Sequence, residues 1–297
     1  MIRRSMDPGP RAGVPARYPS TMRYGIILNT GTLDQIGDLA ASAEQAGWDG
    51  VFYWDAVHIH NFGNMFDPWV AMTVIAMRTT RVTVGGIVMA VPRHKPWLFA
   101  RAATSVDHAS HGRLVLPIGL GGLDDTGVSG VSEPTDIRGR AERLDETLDF
   151  LEAAWTGEPF SHRGKHYSTD EMTFLPRPVR QRIPIWVVGA WPREKSMARV
   201  LRYDGLLPNK LKPQGGQETV TPDDLRAMAE WVRERRGTLD GFDIISEGRT
   251  HGLDPKAAAD VVRPWAEAGA TWWTEAEWRG TYDDLRARVE QGPPRLD

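Results

Sequence analysis

An α/β chain folded as a (β/α)8 (TIM) barrel, with a small hairpin inserted before the fifth strand, is what this sequence of 297 residues predicts. Three observations lead there. Short apolar runs rich in β-branched or aromatic residues recur eight times. Between them lie stretches whose apolar residues fall at helical spacing. No shift in composition divides the alternation, so residues 22–297 are expected to form one barrel domain.

The elements follow in order. Residues 24–29 form the first apolar run and end in Asn-Thr-Gly, a turn signal. Leu33, Ile36, Leu39, Ala40 and Ala43 then mark a helix closed by Gly47. The second strand spans 49–54, and Asp67-Pro68 opens the next helix as N-cap and first-turn proline. Residues 81–92 read as a buried third strand interrupted by Gly85 and Gly86, a pair that marks a bulge or a close approach. A helix from 97 to 110, a strand at 114–118, a polar loop at 123–137 and a long helix at 138–156 come next. Residues 160–174, with Gly164 in the middle, form the hairpin. The fifth strand is 183–188, turning at 189–192 into a helix, and the sixth is very short, 204–208. Strands at 242–246 and 271–275, with helices at 221–236, 255–268 and 282–290, complete the barrel.

Composition excludes several functions. A net charge of −3 offers no electrostatic footprint for nucleic acid or an anionic membrane. The absence of cysteine removes disulfides, thiolate nucleophiles and Cys-ligated metals. No apolar run is long enough to span a bilayer, so a cytoplasmic protein is expected. Residues 1–21 carry no periodic apolar pattern and no signal-peptide core; they read as a disordered extension, with Met22 as an alternative start. Twelve tryptophans suit aromatic-walled pockets as well as a large core.

In a barrel of this kind chemistry gathers at the C-terminal ends of the strands. Those positions hold Asn29; then Asp55, His58 and His60; Gly85 to Val88; the glycine loop 119–122; Gly189, Ala190 and Trp191; and finally Glu247 and Glu275. Carboxylates and histidines are sparse there, while glycine and tryptophan are common. A site of backbone and rings suits a flat cofactor that brings its own reactivity. The run Gly119-Leu120-Gly121-Gly122 lacks the third glycine of a dinucleotide fingerprint. His58 and His60 make an incomplete metal site and read as rim histidines. His94, beside a proline, is open between a structural and a functional role.

Several segments, taken together and in order, resemble the bacterial-luciferase-like flavin and deazaflavin oxidoreductases. They are Gly47-Trp48-Asp49-Gly50-Val51-Phe52, Asp67-Pro68-Trp69, Thr80-Arg81-Val82-Thr83-Val84-Gly85 and Pro92-Arg93-His94-Lys95-Pro96. They continue through Asp107-His108-Ala109-Ser110-His111-Gly112-Arg113 to Gly119, then Arg138-Gly139-Arg140, Leu144-Asp145-Glu146 and Trp155-Thr156-Gly157-Glu158-Pro159. Pro184-Ile185-Trp186-Val187-Val188-Gly189 and Asp204-Gly205 complete the set. The resemblance covers residues 22–294. It implies FMN or coenzyme F420 as cofactor, seated on a non-prolyl cis peptide that falls by position at Ile87–Val88. It also implies a cofactor phosphate near Gly189, Ala190 and Trp191, with Arg193 close by. On this basis Asp55, Ile87, Val88, Gly119, Gly121, Gly122, Gly189, Ala190, Trp191 and Arg193 are expected to line the cofactor. Asn29 and Trp54 are assigned to the substrate side, and His58 and Glu275 to catalysis.

One position departs from the family pattern. Members often carry Asp-His after the second strand, where this chain has Asp55-Ala56. Hydride transfer to, or monooxygenation of, a small organic substrate is the leading expectation, with a homodimer and a separate reductase as partners. A cofactor-binding barrel without turnover, motivated by Ala56, and a metal-dependent barrel hydrolase using His58 and His60 are the alternatives.

Overall fold

The computed structural model describes residues 22–60, 62–122, 125, 129–131, 136–214 and 216–296. The expected N-terminal extension and most of the polar loop expected at 123–137 lie outside the described residues.

The chain begins with β1 (Arg23–Ile27), α1 (Leu33–Gln45), β2 (Gly50–Tyr53), α2 (Pro68–Arg78), β3 (Thr83–Gly86) and β4 (Met89–Ala90). After α3 (Pro96–Ala109), β5 (Leu116–Gly119) and α4 (Ile137–Ala154) comes the antiparallel hairpin of β6 (Phe160–Arg163) and β7 (Ser168–Met172). Then follow β8 (Ile185–Trp191), α5 (Glu194–Val200), β9 (Gly205–Leu211), β10 (Gln217–Glu218) and α6 (Pro222–Arg236). The last elements are β11 (Asp243–Gly248), α7 (Pro255–Glu267), β12 (Trp272–Glu275) and α8 (Tyr282–Gln291). Nine parallel segments pair in the order β3-β2-β1-β12-β11-β9-β8-β5-β4. β3 and β4 are two halves of one barrel position, and the bridge Val84–Leu114 brings the sheet round towards closure. This is the eight-position barrel expected from the sequence, with its hairpin before the fifth strand.

Local chemistry explains the boundaries. Thr32 and Gln35 form a reciprocal capping box at α1, as do Thr221 and Asp224 at α6 and Thr281 and Asp284 at α8. Asp67 caps α2 ahead of Pro68, as the sequence indicates. Among the described residues no helix is long and apolar enough to cross a membrane.

The barrel interior is filled by rings. Phe52, Trp186 and Trp272 pack with centroids 5.4–5.8 Å apart. Each such ring removes roughly 150–250 Å2 from water, about 4–6 kcal/mol at ~25 cal/mol per Å2. Glycines on neighbouring strands make room for them: a Cβ on Gly25 would stand 2.4 Å from the Phe52 ring, and one on Gly205 2.5 Å from Trp186. Gly85 belongs to the same scheme, since its Cβ would meet the Val115 carbonyl oxygen at 2.9 Å.

Three sequence expectations need correction. The third strand is not one run over 81–92. It breaks at a cis Ile87–Val88 peptide and ends in a 3-10 turn, Val91–Arg93. The fifth strand extends to Trp191, so the segment expected to turn at 189–192 is mostly strand, because Gly189, Ala190 and Trp191 pair with Pro208, Asn209 and Lys210. By the same pairing the sixth strand is seven residues long and runs through Pro208 to Leu211.

Candidate functional site

Alternation along each barrel strand decides which side chains enter the mouth. Phe52, Val115, Trp186, Ile245 and Trp272 belong to the inner cluster. Counting by two from these places Gly119, Val188, Ala190 and Glu247 on the inner side at the mouth. Ile87 belongs to the inner cluster, and Val88 and Val188 pack against it. Gly119 lies between the two valines: a Cβ there would be 2.9 Å from Val188 Cγ2 and 3.0 Å from Val88 Cγ1. The missing side chain lets Val88 and Val188 close over Gly119, and with Ile87 they form an apolar seat.

Behind that seat stands a buried ionic network. The Ala90 amide, two residues past the cis peptide, donates to Asp55 Oδ2 at 2.7 Å. Arg93 pairs with Asp55 at 2.5 Å and with Asp125, and all three side chains are under 9% exposed. His94 Nε2 faces Asp55 at 3.6 Å. Burial by itself raises the Asp55 pKa. The His94 ring, the Arg93 guanidinium and the Ala90 amide outweigh it and hold the group below the usual carboxylate range. Asp125 also accepts the backbone amides of Val57 and His58, tying the loop after β2 to the loop after β5. Arg140, nearly fully buried, donates to the carbonyls of Leu120 and Gly121. Gly121 has a φ of 79°, a conformation few other residues adopt.

Across the mouth is an aromatic wall. Trp54 packs on Phe62 at 4.8 Å and edge-on to Trp278 at 5.9 Å. The Trp278 indole N–H donates to Glu247 Oε1 at 2.8 Å. Glu247 borders solvent, yet the crowding around its carboxyl raises its pKa, with the Trp278 hydrogen bond pulling the other way. Asn29 donates from Nδ2 to the Glu277 carbonyl at 3.0 Å. Its buried Oδ1 has no hydrogen-bond partner among the described residues. An unused acceptor at the end of a barrel strand suits a ligand with a polar edge.

The residues singled out from the sequence divide accordingly. Ile87, Val88 and Gly119 form the seat, Ala190 follows Val188 on the inner side of β8, and Asn29 and Trp54 come just past the ends of β1 and β2. Gly121 and Gly122 extend from it in the loop after β5. Asp55 does not offer its carboxylate to a ligand, because Ala90 and Arg93 occupy it. Gly189 faces the opposite way: its Cβ would meet Leu206 at 2.5 Å and Met197 at 2.8 Å, so it serves the packing of α5. Trp191 also turns outward, edge-on to Trp231 at 6.4 Å. Arg193 is exposed at the start of α5 and makes no side-chain cap.

Glu275 does not face the barrel mouth. Fully buried on the outer side of β12, it accepts from Thr250 Oγ1 and Trp273 Nε1, both at 2.9 Å, and pairs with Arg288 at 3.1 Å. His58 and His60 are both exposed on the rim. Among the described residues no group of three or more metal-ligating side chains converges, so nothing completes a hydrolase centre around them. Sequence reasoning passed over Arg93, Asp125 and Arg140, and chose Glu275 over Glu247. Counting by two from the inner residues of each strand was the signal available for that last choice.

Comparison with known proteins agrees with this architecture. Residues 15–295 match the family described as luciferase-like monooxygenase. An F420-dependent glucose-6-phosphate dehydrogenase of Nakamurella multipartita is 28% identical over 257 residues, covering 84% of this chain and 73% of that protein. A protein of the same description from Beutenbergia cavernae is 29% identical over 235 residues, covering 77% and 68%. Among solved structures, an F420-dependent secondary alcohol dehydrogenase in complex with an F420-acetone adduct superposes with a TM-score of 0.75 at 15% identity, over 93% of this chain and 100% of that one. The FMN complex of the oxygenating constituent of 3,6-diketocamphane monooxygenase from Pseudomonas putida gives 0.62 at 18%, over 82% and 71%. At such identities these two likenesses speak for the fold alone. The sequence match runs through nearly the whole chain and coincides with the cis-peptide seat: this protein belongs to the luciferase-like monooxygenase family.

Proposed function

We propose that this chain is an oxidoreductase that exchanges a hydride with a small organic substrate through coenzyme F420 held at the barrel mouth. The observation that carries the reading is the apolar seat of Ile87, Val88 and Val188 around Gly119, with the unpartnered Asn29 Oδ1 past the end of β1. The sequence relatives described as F420-dependent support the deazaflavin over FMN. A bound deazaflavin supplies the hydride donor or acceptor that no protein side chain provides.

The chain's own residues do the rest. Ile87, Val88 and Val188 give a flat ring an apolar face, and Asn29 Oδ1 accepts a hydrogen bond from its polar edge. The Asp55–Arg93–Asp125 network keeps the segment behind that seat from shifting. Trp54, Phe62 and Trp278 exclude water from one side. Glu247 holds or releases the substrate proton at its carboxyl, a task Ala56 cannot perform, and its pKa is shifted upward, towards holding the proton. On this reading the titratable group of the mouth is Glu247 and not the residue at position 56.

Absorbance titration of the purified chain with F420 and with FMN tests the proposal. Saturable F420 binding in the micromolar range, with FMN weaker, is the expected result. Affinity no better than millimolar for both sinks it. Tight FMN binding with substrate-dependent oxygen uptake assigns monooxygenation instead.

A further inference from the structure

Against the Asp55–Arg93 pair, between the loop after β2 and the turn Val91–Arg93, lies a cavity of about 410 Å3. Asp55, Ala56, Asp67, Arg93 and His94 are among the residues that line it. At position 56, where members of the family often carry histidine, this chain offers the cavity only a methyl group. Two of the polar groups are committed elsewhere. Asp67 caps α2, accepting the amides of Trp69 and Val70 at 2.9 and 3.1 Å. Arg93 is held between Asp55 and Asp125. His94 is the exception: its Nε2 is buried and has no hydrogen-bond partner among the described residues. A buried nitrogen left unpaired is unfavourable, and the acceptor this one faces is Asp55 Oδ2, at 3.6 Å. A shift of about 0.5 Å brings the two within hydrogen-bond distance. Phe99 and Trp69 hold the imidazole in that orientation, edge-on with centroids 5.4 and 6.4 Å away. Asp55 Oδ2 already accepts the Ala90 amide at 2.7 Å. A carboxylate oxygen has room for two hydrogen bonds, so His94 and Ala90 can share it.

We propose that His94 is a positioning residue for Asp55: its Nε2–H donates to Oδ2 from the cavity and steadies the carboxylate that tethers Ala90 beside the cis Ile87–Val88 peptide. The imidazole missing at position 56 thus reaches the same cavity from the neighbouring turn. What this does for the cofactor rests on the barrel mouth holding F420, as inferred above; what it does for the Ala90 amide does not.

Amide hydrogen exchange in the full chain, followed by NMR without cofactor, tests the role. The Ala90 amide reports on Asp55; the Ile185 amide, which donates to Asp204 Oδ2 at 2.9 Å, is the reference. His94→Phe keeps a ring between Trp69 and Phe99 but removes both nitrogens. It should speed exchange at Ala90 about tenfold and leave Ile185 unchanged. His94→Gln, which retains a donor, should stay near the original rate. In His94→Ala, free imidazole, far smaller than the cavity, should slow Ala90 exchange again. F420 affinity should follow the same order, lowered about tenfold in His94→Phe and recovered in His94→Ala with imidazole. An Ala90 rate unchanged in His94→Phe, or raised only in step with Ile185, overturns the proposal. So does a His94→Ala variant that imidazole leaves unaltered. If the unmodified chain binds no F420, the functional reading fails while the exchange rates still decide the role of His94.

Discussion

Asp55 Oδ2 accepts the Ala90 amide hydrogen at 2.7 Å, joining the end of β2 to the strand segment that resumes after the cis Ile87–Val88 peptide. The same carboxylate pairs with Arg93, which reaches on to Asp125. One side chain thus holds the seat, the turn behind it and the neighbouring loops in a single arrangement. Removing it leaves the Arg93 charge buried with half its partners.

Asp55→Ala is therefore expected to cost about 3–5 kcal/mol, the usual penalty for breaking a buried pair from one side. Cofactor affinity should fall with it, since Ala90 loses its tether. Urea unfolding combined with the F420 titration checks both, and a stable variant with unchanged affinity would contradict the assignment.

The depressed pKa of Asp55 sets a pH dependence. Stability contributed by this carboxylate is fully present above the unfolded value of about 3.9 and is lost as pH falls through the lower folded value. Acid should thus destabilise the unmodified chain more steeply than Asp55→Asn below about pH 4. Parallel urea midpoints across that range make the comparison; identical slopes would falsify it.

Two glycines should part company. At Gly119 an added Cβ pushes Val88 and Val188 into the seat, so Gly119→Ala should weaken cofactor binding about tenfold while costing little stability. At Gly189 the added Cβ strikes Leu206 and Met197, so Gly189→Ala should cost about 1–3 kcal/mol and leave affinity alone. The reverse pattern would mean that Gly189, and not Gly119, borders the ligand.

Glu247 and Glu275 give the sharpest contrast. Glu247→Gln should lower kcat/KM by roughly 10²–10⁴, as expected for loss of a positioned acid–base group. Taking up the substrate proton needs the carboxylate, so activity in the oxidising direction should drop as pH falls through the raised pKa of Glu247, and the variant should lack that limb. Glu275→Gln should instead lower stability, because Thr250, Trp273 and Arg288 all bond its carboxylate. An activity loss confined to the Glu275 variant would return the catalytic role to that residue.

The order of strands and helices was written in short-range signals: β-branched runs, helical spacing, Asp67-Pro68, Gly47. These act over a few residues, so the chain alone sufficed for the barrel and the hairpin. The resemblance located the cis peptide by position. What lay beyond it was facing and pairing across the sheet. Glu275 stands in register with Gly248, whose missing Cβ clears the Trp273 ring on the outer side, while Glu247 stands in register with Thr274. A strand's side chains alternate with period two, so a shift of one residue moves a carboxylate from the mouth to the core behind it. Arg93 and Asp125, 32 residues apart, meet only because two loops close over the same buried space. Periodicity carries no record of that meeting; only the packing of the folded barrel brings those charges together.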